Sequence, residues 1–219
     1  MNKILEVKNL SFAYDHKLIL DDINFSLKKG EFNGLIGKNG VGKSTLLNLI
    51  LGNLKNYRGQ IFLFADDIKI TNHHKDLAYI SQNKSSSYKN FPTSVEEALK
   101  IHLSYLKKKD SIEKYLEMVG LLKERKKALK ELSGGQLQRL SLALALIKDA
   151  KLFLLDEPTA STDDEFSREF FSLLKNFTRD GKTILLVSHD LQKAWDFAHQ
   201  LLKLEGGKLK IFRREEEDA

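Results

Sequence analysis

The chain has 219 residues, 42% of them hydrophobic and 30% charged, with a formal net charge of +6 and no cysteine. This length allows one large domain or two small ones with a real core, and the lack of cysteine excludes disulfides and thiolate metal sites. The longest apolar run covers residues 142–147, far short of the ~20 residues a spanning helix needs.

The opening residues, Met1-Asn2-Lys3-Ile4-Leu5-Glu6, lack a secretory apolar region. Apolar and polar residues alternate over 4–10 and 19–27, which predicts strands of a partly exposed antiparallel sheet. Residues 31–36 predict a strand that feeds a glycine-rich loop. A helix over 44–51 follows, with Leu46, Leu47, Ile50 and Leu51 on one face.

Residues 76–81 predict another short strand, and 83–90 a polar, serine-rich loop. Thr93-Ser94-Val95-Glu96 fits a capping box opening a helix to about residue 106. Further helices are predicted over 111–122 and 135–147. The nearly continuous apolar runs Leu152-Phe153-Leu154-Leu155 and Ile184-Leu185-Leu186-Val187 suit strands buried on both faces of a parallel sheet. A helix over 165–177 lies between them. Runs at 201–204 and 208–211 flank Glu205-Gly206-Gly207, a hairpin signal. The tail Glu215-Glu216-Glu217-Asp218 is acidic and expected to fray.

This order predicts a single α/β domain over 1–219. Its parallel-sheet core and an N-terminal antiparallel β subdomain take about 1–82 and 141–219. A helical subdomain is inserted at about 83–140. The positive charge reads as a lysine-rich surface: Lys107-Lys108-Lys109 and residues 123–130 sit among helix formers and acids without interleaved aromatics. No nucleic-acid partner is expected.

Gly37-Lys38-Asn39-Gly40-Val41-Gly42-Lys43-Ser44 fits G-x-x-x-x-G-K-[ST], a loop that wraps a nucleotide's phosphates. Gly37, Gly40 and Gly42 let the backbone turn its N–H groups inward, and the helix behind them points its positive end at the anion. Lys43 supplies a point charge for the β- and γ-phosphates, and Ser44 a hydroxyl for Mg²⁺. Thr45 can add a phosphate contact. The strand at 152–155 ends in Asp156 and Glu157. By itself this reads as an acidic turn. Downstream of a phosphate loop it reads as a metal-binding carboxylate, Asp156, followed by a carboxylate near the γ-phosphate, Glu157.

A second string, Leu132-Ser133-Gly134-Gly135-Gln136, opens another helix and makes a second positive helix end. With the phosphate loop before it, the chain resembles the ATP-binding cassette family over nearly its whole length. That resemblance implies a P-loop NTPase fold, ATP and Mg²⁺ as ligands, and hydrolysis with Glu157 as the base that polarises water. It implies a switch histidine at His189, a glutamine contacting Mg²⁺ and water at Gln82, and an adenine-stacking aromatic at Tyr14. Tyr14 also reads as a strand-end aromatic capping the core.

In that family the signature string of one subunit closes over ATP held by a second, so Leu132 to Gln136 would face the partner's nucleotide, and Asp163 would lie in the loop crossing between sites. The chain departs from the family at Lys38, where proline is common, and at Thr162, where leucine is usual. The resemblance implies the ATPase subunit of a multi-chain membrane transporter, peripheral on the cytoplasmic face and working as a dimer of identical cassettes against an integral permease. The stretch Ala78-Tyr79-Ile80-Ser81-Gln82, then Phe91-Pro92-Thr93-Ser94-Val95-Glu96-Glu97, is similar to zinc- and manganese-type importers. These also use an extracytoplasmic metal-binding protein. ABC ATPases for another solute, or without a transport role, are the alternative. Gln82, Tyr88, Phe91 and Thr93 are expected to receive a permease helix; the other reading of Phe91 is that it packs beneath the helix it precedes.

Overall fold

The computed structural model describes residues 3–81, 88–158, 164–188 and 195–214, the side chains of 164–166 excepted. Strands β1 (Lys3–Tyr14) and β2 (Lys17–Lys28) form an antiparallel hairpin in which Tyr14 faces Lys17. The other edge of β1 takes β4 (Arg58–Leu63), and β5 (Asp66–Asp67) completes the sheet in the order β2-β1-β4-β5. β4 was not expected from the sequence. Gly59 on this strand permits a close approach: a Cβ on it would lie 2.4 Å from the carbonyl oxygens of Lys8 and Asn9.

The second sheet has six strands in the order β10-β9-β3-β8-β7-β6. β3 (Phe32–Ile36), β6 (Leu77–Ser81), β7 (Leu152–Asp156), β8 (Thr183–Ser188) and β9 (Gln200–Glu205) run parallel. β10 (Lys208–Arg213) closes the edge as the antiparallel arm of the expected hairpin. β7 and β8 carry unbroken apolar runs because both faces are covered, whereas β3 buries the polar Asn33 among its apolar residues. Phe32, Phe153, Leu155, Ile184 and Leu186 enter one apolar cluster; Leu35, Leu152, Leu154, Leu185 and Val187 enter another.

The second cluster lies between the parallel sheet, the antiparallel sheet and α1 (Lys43–Ile50), which adds Leu46, Leu47, Leu49 and Ile50. The first holds α2 (Val95–Tyr105), α3 (Ile112–Met118), α4 (Gly134–Ile147) and α5 (Asp164–Arg179). Two boundaries differ from expectation. The capping box of α2 is Ser94 with Glu97, one residue later than Thr93 with Glu96, and Thr93 donates its hydroxyl to the same Glu97 carboxylate at 3.0 Å. The helix predicted over 111–122 stops at Met118, because Gly120 takes a positive φ of 67° and Leu122–Glu124 forms a separate 3-10 turn. Residues 215–219, expected to fray, lie outside the described residues.

Candidate nucleotide site

The strand registers set the site. Ile36 pairs with Ser188, Asp156 with Val187, and Ser81 with Asp156. The ends of four parallel strands are therefore flush, and the loops leaving them share one edge, where α/β sheets bind ligands. A cleft of about 400 Å³ opens there, lined by Asn39, Gly40, Gly42, Lys43, Ser44, Thr45, Tyr79, Ser81, Asp156 and Glu157.

The glycine loop hugs the sheet. A Cβ on Gly37 would sit 2.5 Å from the carbonyl oxygen of Leu204 and 2.9 Å from Val41 Cγ1, so no side chain fits there. Val41 packs on the second apolar cluster and anchors the loop from below. Gly42 is the N-cap of α1, in the left-handed region, and offers no capping side chain; the first turn carries no acid. The leading N–H groups of α1 thus lack a capping partner of their own and point into a cleft suited to an anion. Lys43 is only 6% exposed, and its Nζ donates to the carbonyls of Gly37 at 2.7 Å and Lys38 at 3.1 Å.

Opposite the loop, Asp156 ends β7. Its Oδ2 accepts a hydrogen bond from the Tyr79 hydroxyl at 3.0 Å. Burial and the nearby Asp156 charge push the Tyr79 phenol up to about 12, so it stays a donor. Sequence reading missed Tyr79, since a single tyrosine inside a strand carries no motif. Glu157 follows at φ 48°, an uncommon conformation for a residue with a side chain, and its N–H donates to the carbonyl of Val187 at 3.1 Å. That turn takes Glu157 out of the strand, and it lines the cleft beside Asp156. The oxygen donors Ser44 and Asp156 in one cleft fit a hard cation such as Mg²⁺.

The structure places the remaining expected residues elsewhere. Tyr14 stands half-exposed at the end of β1, edge-on to Phe12 with ring centroids 4.9 Å apart, and is not among the residues lining the cleft. Leu132 is buried. Ser133 caps α4 reciprocally with Gln136: the Gln136 N–H donates to Ser133 Oγ at 3.2 Å, and the Ser133 N–H donates to Gln136 Oε1 at 3.0 Å. None of Leu132, Ser133, Gly134, Gly135 or Gln136 is among the described residues lining the cleft of the same chain. Gln82, Asp163 and His189 lie outside the described residues. Ser81 and Ser188, which precede Gln82 and His189, end β6 and β8 at the cleft edge.

Near α2, Tyr88 packs against the first apolar cluster, while Phe91 is 57% exposed. Phe91 therefore does not pack beneath the helix. Among the described residues, no helix is long and apolar enough to cross a membrane.

A parallel sheet with a glycine loop, a buried lysine and two carboxylates at its edge defines a P-loop nucleotide-binding protein. Comparison with known proteins narrows the class. Residues 20–160 match the family described as ABC transporter. A zinc uptake system ATP-binding protein, ZurA of Listeria innocua, is 37% identical over 214 residues, covering 93% of this chain and 83% of ZurA. A manganese transport system ATP-binding protein, MntB of Halalkalibacterium halodurans, is 35% identical over 213 residues, covering 93% and 84%. The solved structure of cbiO1 from Clostridium perfringens, part of the ABC transporter complex cbiONQ, superposes with a TM-score of 0.83 at 26% identity, covering 96% of this chain and 88% of cbiO1. The chain belongs to the ABC transporter ATP-binding family: it is an ATPase whose hydrolysis of ATP is coupled to transport.

Proposed function

We propose that the chain drives import of a divalent metal ion, zinc or manganese, from the cytoplasmic face of the membrane. The reading rests on chain-long similarity to zinc and manganese uptake ATPases at 35–37% identity. Under it the protein pairs with a second cassette, an integral permease and, indirectly, an extracytoplasmic metal-binding protein.

Nucleotide phosphates would lie against Gly40, Gly42, Ser44, Thr45 and the N-terminal end of α1. Lys43 would turn its ammonium from the Gly37 and Lys38 carbonyls to the phosphate oxygens. Ser44 and Asp156 would hold Mg²⁺, which when bound neutralises phosphate charge. Glu157, aimed out of β7 by its left-handed turn, would take a proton from the attacking water. Gln82 and His189 would complete the site from the ends of β6 and β8, and Tyr14 would stack on adenine. Leu132 to Gln136 would act on the partner's nucleotide, which agrees with their absence from the chain's own cleft lining. Asp163 would join the two sites. The helices between 83 and 140 would form the subdomain that carries this signature.

The test is uptake. A strain lacking its zinc and manganese importers receives this chain with its neighbouring permease genes, beside a Glu157→Gln control. Restored accumulation of either metal, absent in the control, supports the reading. Restoration of an unrelated solute alone would remove the metal assignment.

A further inference from the structure

Tyr79 belongs to neither nucleotide motif, yet it lines the cleft between Ser81 and Asp156. It sits on β6 opposite Leu154 of β7, and two residues further on Ser81 faces Asp156. The phenol reaches forward along the sheet and donates to Asp156 Oδ2 at 3.0 Å. A side-chain hydrogen bond thus links β6 to the carboxylate that ends β7. The other carboxylate oxygen, Oδ1, has no hydrogen-bond partner among the described residues.

We propose that Tyr79 is a positioning residue for the Mg²⁺-binding carboxylate: its hydroxyl commits Oδ2 of Asp156 and so presents Oδ1 to the cation. The proposal rests on the reading of Asp156 as a Mg²⁺ ligand. A carboxylate at a strand end has rotamer freedom that must be lost when it takes up a cation. A rigid ring wedged in the sheet removes that freedom beforehand. Outer partners of this kind change metal affinity about 10–100-fold when lost. The half-buried phenol, solvated on its cleft side, belongs at the lower end.

The test titrates a non-hydrolysable ATP analogue into the purified full chain, once in EDTA and once in excess Mg²⁺. Tyr79→Phe and Asp156→Asn are compared with wild type. Tyr79→Phe is expected to keep its EDTA affinity within about twofold and to lose about tenfold of the gain that Mg²⁺ confers. Mn²⁺ in place of Mg²⁺ should give a broadened electron paramagnetic resonance spectrum in Tyr79→Phe. A full Mg²⁺ gain in Tyr79→Phe, with the gain lost in Asp156→Asn, overturns the role of Tyr79 alone. Equal losses in EDTA and Mg²⁺ would make Tyr79 merely structural and also overturn it. A full gain in Asp156→Asn would overturn the reading of Asp156 and, with it, this inference.

Discussion

Lys43 is buried against the carbonyls of Gly37 and Lys38, so one side chain stabilises the loop and offers charge to a ligand. The two duties separate experimentally. Lys43→Ala is expected to lower ATP affinity at least about tenfold, since a hydrogen bond to a charged group contributes about 1.5–3 kcal/mol. It should also lower the melting temperature without nucleotide, because two loop carbonyls lose their donor. Calorimetric titration and a thermal melt check both. Glu157 differs: it lines the cleft from a left-handed turn and has no phosphate to hold. Glu157→Gln should bind ATP about as well as wild type but turn over at least about a hundredfold more slowly, the usual contribution of a positioned base. Turnover near the wild-type rate would reject that role.

Among the elements, the helix termini distinguish the phosphate loop from the Leu132–Gln136 string. α1 begins at Gly42 with no side-chain cap, whereas Ser133 caps α4 through Gln136. The phosphate-loop helix leaves its N-terminal donors without a side-chain cap, and the helix after Ser133 is tied internally by its capping box. α2 is tied the same way by Ser94 and Glu97. Ser94→Ala is expected to cost about 1 kcal/mol and lower the melting temperature by about 2–4 °C, while ATP affinity holds. At the opposite ends of the strands, Lys151 Nζ meets Asp76 at 2.8 Å. The hydrogen bond to Lys151 holds the Asp76 carboxyl below its usual range. A depressed carboxylate stabilises the fold above its unfolded pKa, near 3.9, and that contribution is lost as pH falls through the folded value. Melts from pH 6 to pH 3 should therefore show a smaller acid-induced loss in Asp76→Asn than in wild type.

Most elements were legible because burial imprints a period on them. Leu46, Leu47 and Ile50 mark α1, and the unbroken runs around Phe153 and Leu185 mark strands covered twice. β4 escaped because Gly59 is required for close approach to β1, and local pattern cannot distinguish that from a break. The phosphate loop was legible because its glycines, lysine and serine are consecutive. The Tyr79–Asp156 contact was not, since it joins residues far apart in the chain and depends on the register of β6 against β7.

For the whole molecule, the parallel sheet separates two apolar clusters: one beneath the nucleotide loop, the other joining α2, α3, α4 and α5 to the opposite face. Tyr88 packs against the helical side, and Phe91 is exposed next to it. A contact made at Phe91 would therefore push on a packed unit that also carries Ser133. Phe91→Asp is expected to weaken permease binding or uncouple transport while the isolated chain keeps its ATPase activity; unchanged transport would remove Phe91 from the coupling. Under the proposed function two chains share each ATP, with Ser133 of one completing the cleft of the other. The most direct measurement of that sharing is the solution mass of Glu157→Gln by light scattering, in ATP with Mg²⁺ and in ADP. The mass should double in ATP, stay single in ADP, and stay single in ATP once Ser133→Arg is added. A protein that binds ATP but remains a single chain, or a doubled mass that survives Ser133→Arg, would contradict it.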